Sequence, residues 1–325
     1  MGSKVFNHLL SKLDIHPVLI DIGASDAPPK IWKTIAQHSV YVGFDPDLRE
    51  LHEVSDSRFW KATIMNEAIM SDKQGNEVLF YFTKSPYCSS TLKPDLDSLS
   101  NFIFSDLFVV EREAKVQATS LDAVMDRLAL PCIDWLKTDS QGTDLRIFHS
   151  LRAEVRSRVL ALDIEPGLID AYVGEDLFVD AHRELTQNGF WLSDLNVGGT
   201  VRMRRSTLRE VMAFNDISYE LVGKTVKKSP GWCEARYFRT IEWLAKGGFA
   251  KRDYVLLWTF ALLDGQFGFA IDLAIEYERV FGKDDISRTM KEEPILLIRR
   301  SRHKMRFAAA KSLPFRIMWR LQQLW

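Results

Sequence analysis

The chain has 325 residues, 46% hydrophobic and 27% charged, which excludes a disordered, collagenous or low-complexity protein and allows about two domains of ordinary size. The formal net charge of −1 hides an asymmetry: residues 1–200 hold 19 Lys+Arg against 30 Asp+Glu, and residues 201–325 hold 24 against 14. Three scattered cysteines (Cys88, Cys132, Cys233) exclude a disulfide framework and a thiolate zinc site.

The first elements alternate. Val18–Gly23 and Val40–Asp45 read as short buried strands, and Pro28 to His38 between them reads as a helix opened by proline, which makes a βαβ unit. Strands follow at Ala62–Met65, Glu77–Thr83 and Lys115–Ala118, with Gln74-Gly75 as the turn before the second. Ser120 or Thr119 caps a helix running to about Leu130. Ile133–Asp139 and Val159–Glu165 are strands, Leu145–Leu151 is a helix, and Asp176–Asn188 is a helix stopped by Gly189. Phe190–Leu195 and Thr200–Arg204 read as two strands joined at Gly198-Gly199. Beyond residue 205 the pattern becomes helical: Gly231–Ala245, Tyr254–Leu263 and Phe267–Phe281. No apolar run approaches the ~20 residues of a spanning helix, and no signal peptide is evident, so a cytoplasmic protein is expected.

Alternating strands and helices predict an α/β fold with a mostly parallel sheet and helices on both faces. Four strands end on acids: Asp21, Asp45, Asp139 and Glu165. In such sheets ligands bind at the carboxyl ends of the strands. The small-residue turn Gly23-Ala24-Ser25 lets a ligand approach the backbone. Asp45, 24 residues after Asp21, is placed to hydrogen-bond ribose hydroxyls, as the acid of a nucleotide site does. The turn is not G-x-G-x-x-G, which argues against an NAD-dependent oxidoreductase. Lys137 to Asp144 follows a strand and opens a helix, with Lys137 and Asp139 on one side of the strand end.

These pieces together resemble the FkbM-type family of S-adenosylmethionine-dependent methyltransferases. The resemblance is carried by Val18–Ala27, Tyr41–Asp47, Asn66-Glu67-Ala68 with Ser71-Asp72-Lys73-Gln74-Gly75, Ser89-Ser90-Thr91-Leu92, Thr119-Ser120-Leu121-Asp122, Asp163-Ile164-Glu165 and, most specifically, Asp134–Asp144. It covers about residues 16–195. It implies a class I methyltransferase (Rossmann-like) sheet and S-adenosyl-L-methionine as methyl donor, to which the helical pattern beyond residue 205 adds a C-terminal helical extension. Asp21, Gly23, Ala24 and Ser25 would form the cofactor loop, Asp45 would hold the ribose, and Glu67 and Ala68 would lie by the adenine. The implied activity is O-methylation of a hydroxyl on a saccharide, glycoconjugate or natural product. The loop carries Ser25 and Ala27 where the family has Asn and Gly. A non-catalytic binding or scaffold subunit of the same fold is the alternative.

Asp139 is the first candidate for the base that takes the hydroxyl proton, and Glu165 the second. No metal-ligand spacing is present; His182 with Asp139 and Glu165 is the one set of competent ligand types considered. The reading divides the chain into a methyltransferase domain (1–205), a helical appendage (206–298) and a basic amphipathic tail (299–325). That tail carries eight Lys/Arg and no acid, with Trp319 and Trp325. It suits docking on the chain's own acidic part or peripheral contact with an anionic membrane surface, ahead of nucleic acid.

Overall fold

A computed structural model describes residues 3–25, 27–47, 49, 58–71, 75–215 and 217–301. The strands are β1 (Val18–Ile22), β2 (Val40–Phe44), β3 (Lys61–Met65), β4 (Ala68–Ile69), β5 (Glu77–Thr83), β6 (Val110–Thr119), β7 (Trp135–Thr138), β8 (Ala161–Ile164), β9 (Phe190–Thr200) and β10 (Ser229–Arg239). The helices are α1 (Ser3–Lys12), α2 (Leu96–Leu99), α3 (Leu121–Leu128), α4 (Asp144–Ser150), α5 (Ala153–Arg156), α6 (Phe178–Gln187), α7 (Arg205–Asn215), α8 (Tyr219–Thr225), α9 (Ile241–Lys246), α10 (Lys251–Leu263) and α11 (Phe267–Phe281). The chain forms two compact units, one of Asp14–Gly247 and one that joins Met1–Leu13 to Gly248–Trp325.

The larger unit is α/β. Its central sheet has seven strands in the order β3-β2-β1-β7-β8-β10-β9. The first five are mutually parallel, while β10 runs antiparallel to both β8 and β9. Every residue of β1 and β2 is buried, as expected of strands covered on both faces. On one face Val124 of α3, Phe148 of α4 and Leu185 of α6 join Ile20, Val42 and Leu136 in a single core. On the other face Trp32 packs edge-on against Tyr41 and Trp135 at 6.2 and 5.9 Å, and Phe238 packs against Trp135 at 5.7 Å. A second sheet, β4-β6-β5, is inserted between β3 and β7.

Three expectations are corrected. Pro28 to His38 is not an α-helix but two 3-10 segments, Lys30–Thr34 and Ala36–His38. A 3-10 turn rises about 2.0 Å per residue against 1.5 Å for an α-helix, so it spans the crossover with fewer residues. Phe190 to Thr200 is one continuous strand rather than two, with Gly198-Gly199 inside it. Cβ atoms there would collide with the Trp232 ring and the Ser229 carbonyl of β10, so the glycines serve close approach, not a turn. Gly231 to Ala245 is not a helix. Ser229–Arg239 is β10, with Gly231, Cys233, Ala235 and Tyr237 buried in alternation, and only Ile241–Lys246 is helical. The central sheet therefore continues past residue 205.

Other elements fall where expected. Glu77–Thr83 and Phe267–Phe281 match residue for residue. Ser120 caps α3, its hydroxyl accepting the Ala123 N–H at 3.3 Å, and Gly189 follows α6 in the left-handed region with φ +76°.

The smaller unit is helical: α1, α10, α11 and residues 285–301. In α10 every residue from Tyr254 to Leu262 is buried, the mark of a helix surrounded by protein. Trp258 Nε1 donates to the Met290 carbonyl at 2.9 Å. Among the described residues no helix is long and apolar enough to cross a membrane. The basic tail lies outside the described residues from Arg302 onward.

Candidate functional site

The sheet reverses its strand order at β1. The chain builds outward through β2 and β3 on one side, then returns to place β7 and β8 on the other. Ligands of open α/β sheets sit outside the carboxyl ends of the strands at such a switch point. There Gly23 has φ +79°, and a Cβ on it would lie 2.3 Å from the Asp139 carbonyl oxygen. Only glycine serves both demands. The Gly23 and Ala24 N–H groups both donate to the Phe44 carbonyl at 2.9 Å. The loop thus offers a ligand shape and space rather than those two donors. Ala24 is buried and Ser25 half-buried.

Asp21 lies within β1, beneath this edge. Its carboxylate is 2% exposed and accepts from Lys137 Nζ at 2.8 Å and from the Tyr41 hydroxyl at 3.0 Å. Burial pushes its carboxyl up, and Lys137 and Tyr41 oppose that. Burial pulls the Lys137 ammonium down, but the attraction of Asp21, Asp139 and Glu165 outweighs it, and the group is raised. The ammonium therefore stays charged, and Asp21 is its counter-charge.

Asp139 and Glu165 leave adjacent strands, β7 and β8, and both line one space beyond the strand ends. Burial and the neighbouring Asp139 carboxylate push Glu165 far above the ordinary carboxyl range. Two adjoining carboxylates cannot both ionise cheaply. Glu165 is thus the group pushed toward its protonated form. Gln141 Nε2 donates to Asp139 Oδ1 at 2.6 Å, and Gln141 Oε1 lies 2.9 Å from the Tyr172 hydroxyl. This chain of bonds fixes the Asp139 carboxylate. Gln141 and Gly142 both have positive φ, +57° and +106°, which turns the strand sharply into α4.

Asp144 was not among the sequence candidates. It is 1% exposed, and it accepts the Ser140 N–H and the Glu165 N–H, each at 2.8 Å, and the Ser140 hydroxyl at 2.5 Å. It ties the start of α4 to the end of β8. Burial raises its carboxyl to about 6. In the sequence it stands only as the end of the Asp134–Asp144 block and the start of a helix.

Asp45 follows β2 and is 7% exposed. Its Oδ1 accepts the Asp47 N–H at 2.7 Å. Burial raises its carboxyl to about 6. It faces an open cleft that also takes in Gly23, Ser25, Ala68, Ile69 and Phe80. Arg49 braces one side, reaching Asp47, the Thr83 carbonyl at 2.9 Å and the Ser89 hydroxyl at 3.0 Å. Ala68 lines this cleft. Glu67 does not; it is held by Arg127 at 2.8 Å. Two further spaces adjoin the cleft. One is lined by Gly23, Ser25, Lys137, Asp139 and Glu165. The other is lined by Gln141, Glu165, Phe104, Phe108, Tyr172 and Trp232. Tyr87 borders all three, and nothing local in the sequence marks it. His182 stands apart from a ligand set, with Nδ1 3.1 Å from the Tyr237 hydroxyl.

The fold and site define the protein's class only coarsely, as an α/β protein with a Rossmann-like sheet and a polar cleft at its switch point. No protein-family model matches the chain, and no curated protein matches it.

Proposed function

We propose that the chain is an S-adenosylmethionine-dependent methyltransferase that methylates a hydroxyl oxygen. One observation carries the reading: the cleft at the switch point brings Gly23, Asp45 and Asp139 together. The strand order supports it. A dinucleotide fold has the order 3-2-1-4-5-6; here an antiparallel strand, β10, is inserted before the last, as in a class I methyltransferase sheet.

The residues present fit the cofactor. Among the described residues Asp45 is a buried acceptor without a cation among its hydrogen-bond donors, suited to a pair of ribose hydroxyls. Ala68, Ile69 and Phe80 offer an apolar wall for a flat base. Gly23 and Ser25 open the way from this cleft to the space beside Asp139. The bound cofactor supplies an electrophilic methyl group. The protein's part is alignment of the acceptor oxygen, which supplies ~7–11 kcal/mol in well-oriented systems, and removal of its proton, worth about 10²–10⁴-fold. Asp139 accepts that proton, and Gln141 holds Asp139 in place.

The test uses the Asp45 carboxyl. Its pKa near 6 means that it ionises as pH rises through 6, and an ionised carboxylate accepts the ribose hydroxyls better. Affinity for S-adenosylhomocysteine, measured by calorimetry from pH 5 to 8, rises through about pH 6 and levels off. Asp45→Asn removes this dependence and weakens binding at pH 7.5 by roughly 10–100-fold, the loss of charge-assisted hydrogen bonds. Equal affinity in both proteins would contradict the assignment.

A further inference from the structure

The space beyond Glu165 differs in character from the other two. Its walls are aromatic. Trp232 and Phe104 lie nearly parallel, 12° apart with centroids 6.3 Å apart. Phe108 meets Phe104 edge-on at 5.1 Å and Tyr172 at 5.7 Å. The volume, about 310 Å³, is at the lower end of small-molecule sites and suits a compact ligand.

Several of its polar groups are already engaged. Tyr172 faces the Cys88 carbonyl and Gln141, each at 2.9 Å. Gln141 is spent on Asp139 and Tyr172. Glu175 accepts the Ala171 N–H at 2.8 Å. A sugar ring would bring several hydroxyls against largely aromatic walls, with a cost for each one left unpaired.

Charge narrows the ligand further. Among the described residues no Lys, Arg or His lines this space. In the adjoining space Lys137 is paired with Asp21, and Arg236 grips Asp163 at 2.8 and 3.0 Å. Asp139, Asp194 and Glu234 border the same space. A phosphorylated or carboxylated ligand would meet carboxyl groups with no cation to receive it.

We infer that this space takes a neutral aromatic hydroxyl compound as the methyl acceptor, its rings among Phe104, Phe108, Tyr172 and Trp232 and its hydroxyl toward Glu165 and Asp139. The acceptor role rests on the methyltransferase reading above; the ligand class rests on the walls of the space. Of the acceptors that the sequence resemblance allows, it selects an aromatic natural product over a saccharide.

The experiment titrates the full chain with 2-naphthol and with methyl α-glucopyranoside, with and without S-adenosylhomocysteine. Naphthol is expected to bind at least tenfold tighter than the glucoside. Trp232→Ala removes a wall and Leu107→Asp puts a charge at the exposed rim. Each is expected to weaken naphthol at least tenfold with S-adenosylhomocysteine affinity unchanged, while Trp232→Phe stays within about threefold. Naphthol bound no tighter than the glucoside, with S-adenosylhomocysteine still bound, overturns the acceptor class alone. The same naphthol affinity in wild type and Leu107→Asp overturns the location. Naphthol bound without any S-adenosylhomocysteine binding overturns the acceptor role while leaving the ligand class standing.

Discussion

Asp139 and Lys137 sit two residues apart on one strand end and do different work. Lys137 neutralises the buried Asp21, so Lys137→Met leaves an uncompensated charge and should cost about 3–5 kcal/mol of stability, read from urea unfolding. Pairing it with Asp21→Asn should recover part of that loss; no recovery would show that Lys137 matters through packing. Asp139 faces the ligand space. Asp139→Asn should keep S-adenosylhomocysteine affinity within about threefold and slow methyl transfer to any acceptor of the wild type by roughly 10²–10⁴-fold; full turnover would sink the base assignment. The acids at the strand ends were legible because a buried strand that stops on a carboxylate is a local pattern. Glu67 was not, because its partner Arg127 lies 60 residues on, and no local pattern shows that they meet.

Asp144 acts between elements. Its carboxylate joins the loop after β7 to the first residue after β8, so it sets where Glu165 stands relative to Asp139. Asp144→Ala orphans two buried N–H groups and should cost about 3 kcal/mol, with a matching fall in thermal midpoint. A loss under ~0.5 kcal/mol would mean that the loop holds its shape without this bond. The parallel strands β1, β2, β7 and β8 were readable from short apolar runs. The strand β10 was not, because Glu234 and Arg236 interrupt its apolar residues and imitate the charged face of a helix. Its alternation makes sense once β8 and β9 flank it, with Arg236 bound to Asp163 across β8.

At the scale of the whole chain, the charge asymmetry follows the two compact units. Asp14–Gly247 holds 27 Lys+Arg against 35 Asp+Glu, and the remainder holds 16 against 9. The acidic share includes the carboxyl edge of the sheet. The basic share is concentrated toward the C-terminus, where the amphipathic pattern was legible although its placement lies outside the described residues. If residues 299–325 contact an anionic surface, a chain ending at residue 298 should lose binding to phosphatidylserine vesicles that the full chain shows; equal binding by both would exclude that role. Sheet topology was legible as alternation, while the division at residues 13 and 247 was not, because it depends on the chain's start joining a helical unit more than 230 residues away. The central claim, that the switch-point cleft holds an S-adenosyl ligand, is tested most directly by calorimetry of the full chain with S-adenosylhomocysteine and, separately, NAD. Saturable one-to-one binding of S-adenosylhomocysteine and none of NAD is expected; NAD binding with no heat from S-adenosylhomocysteine would contradict an S-adenosyl site.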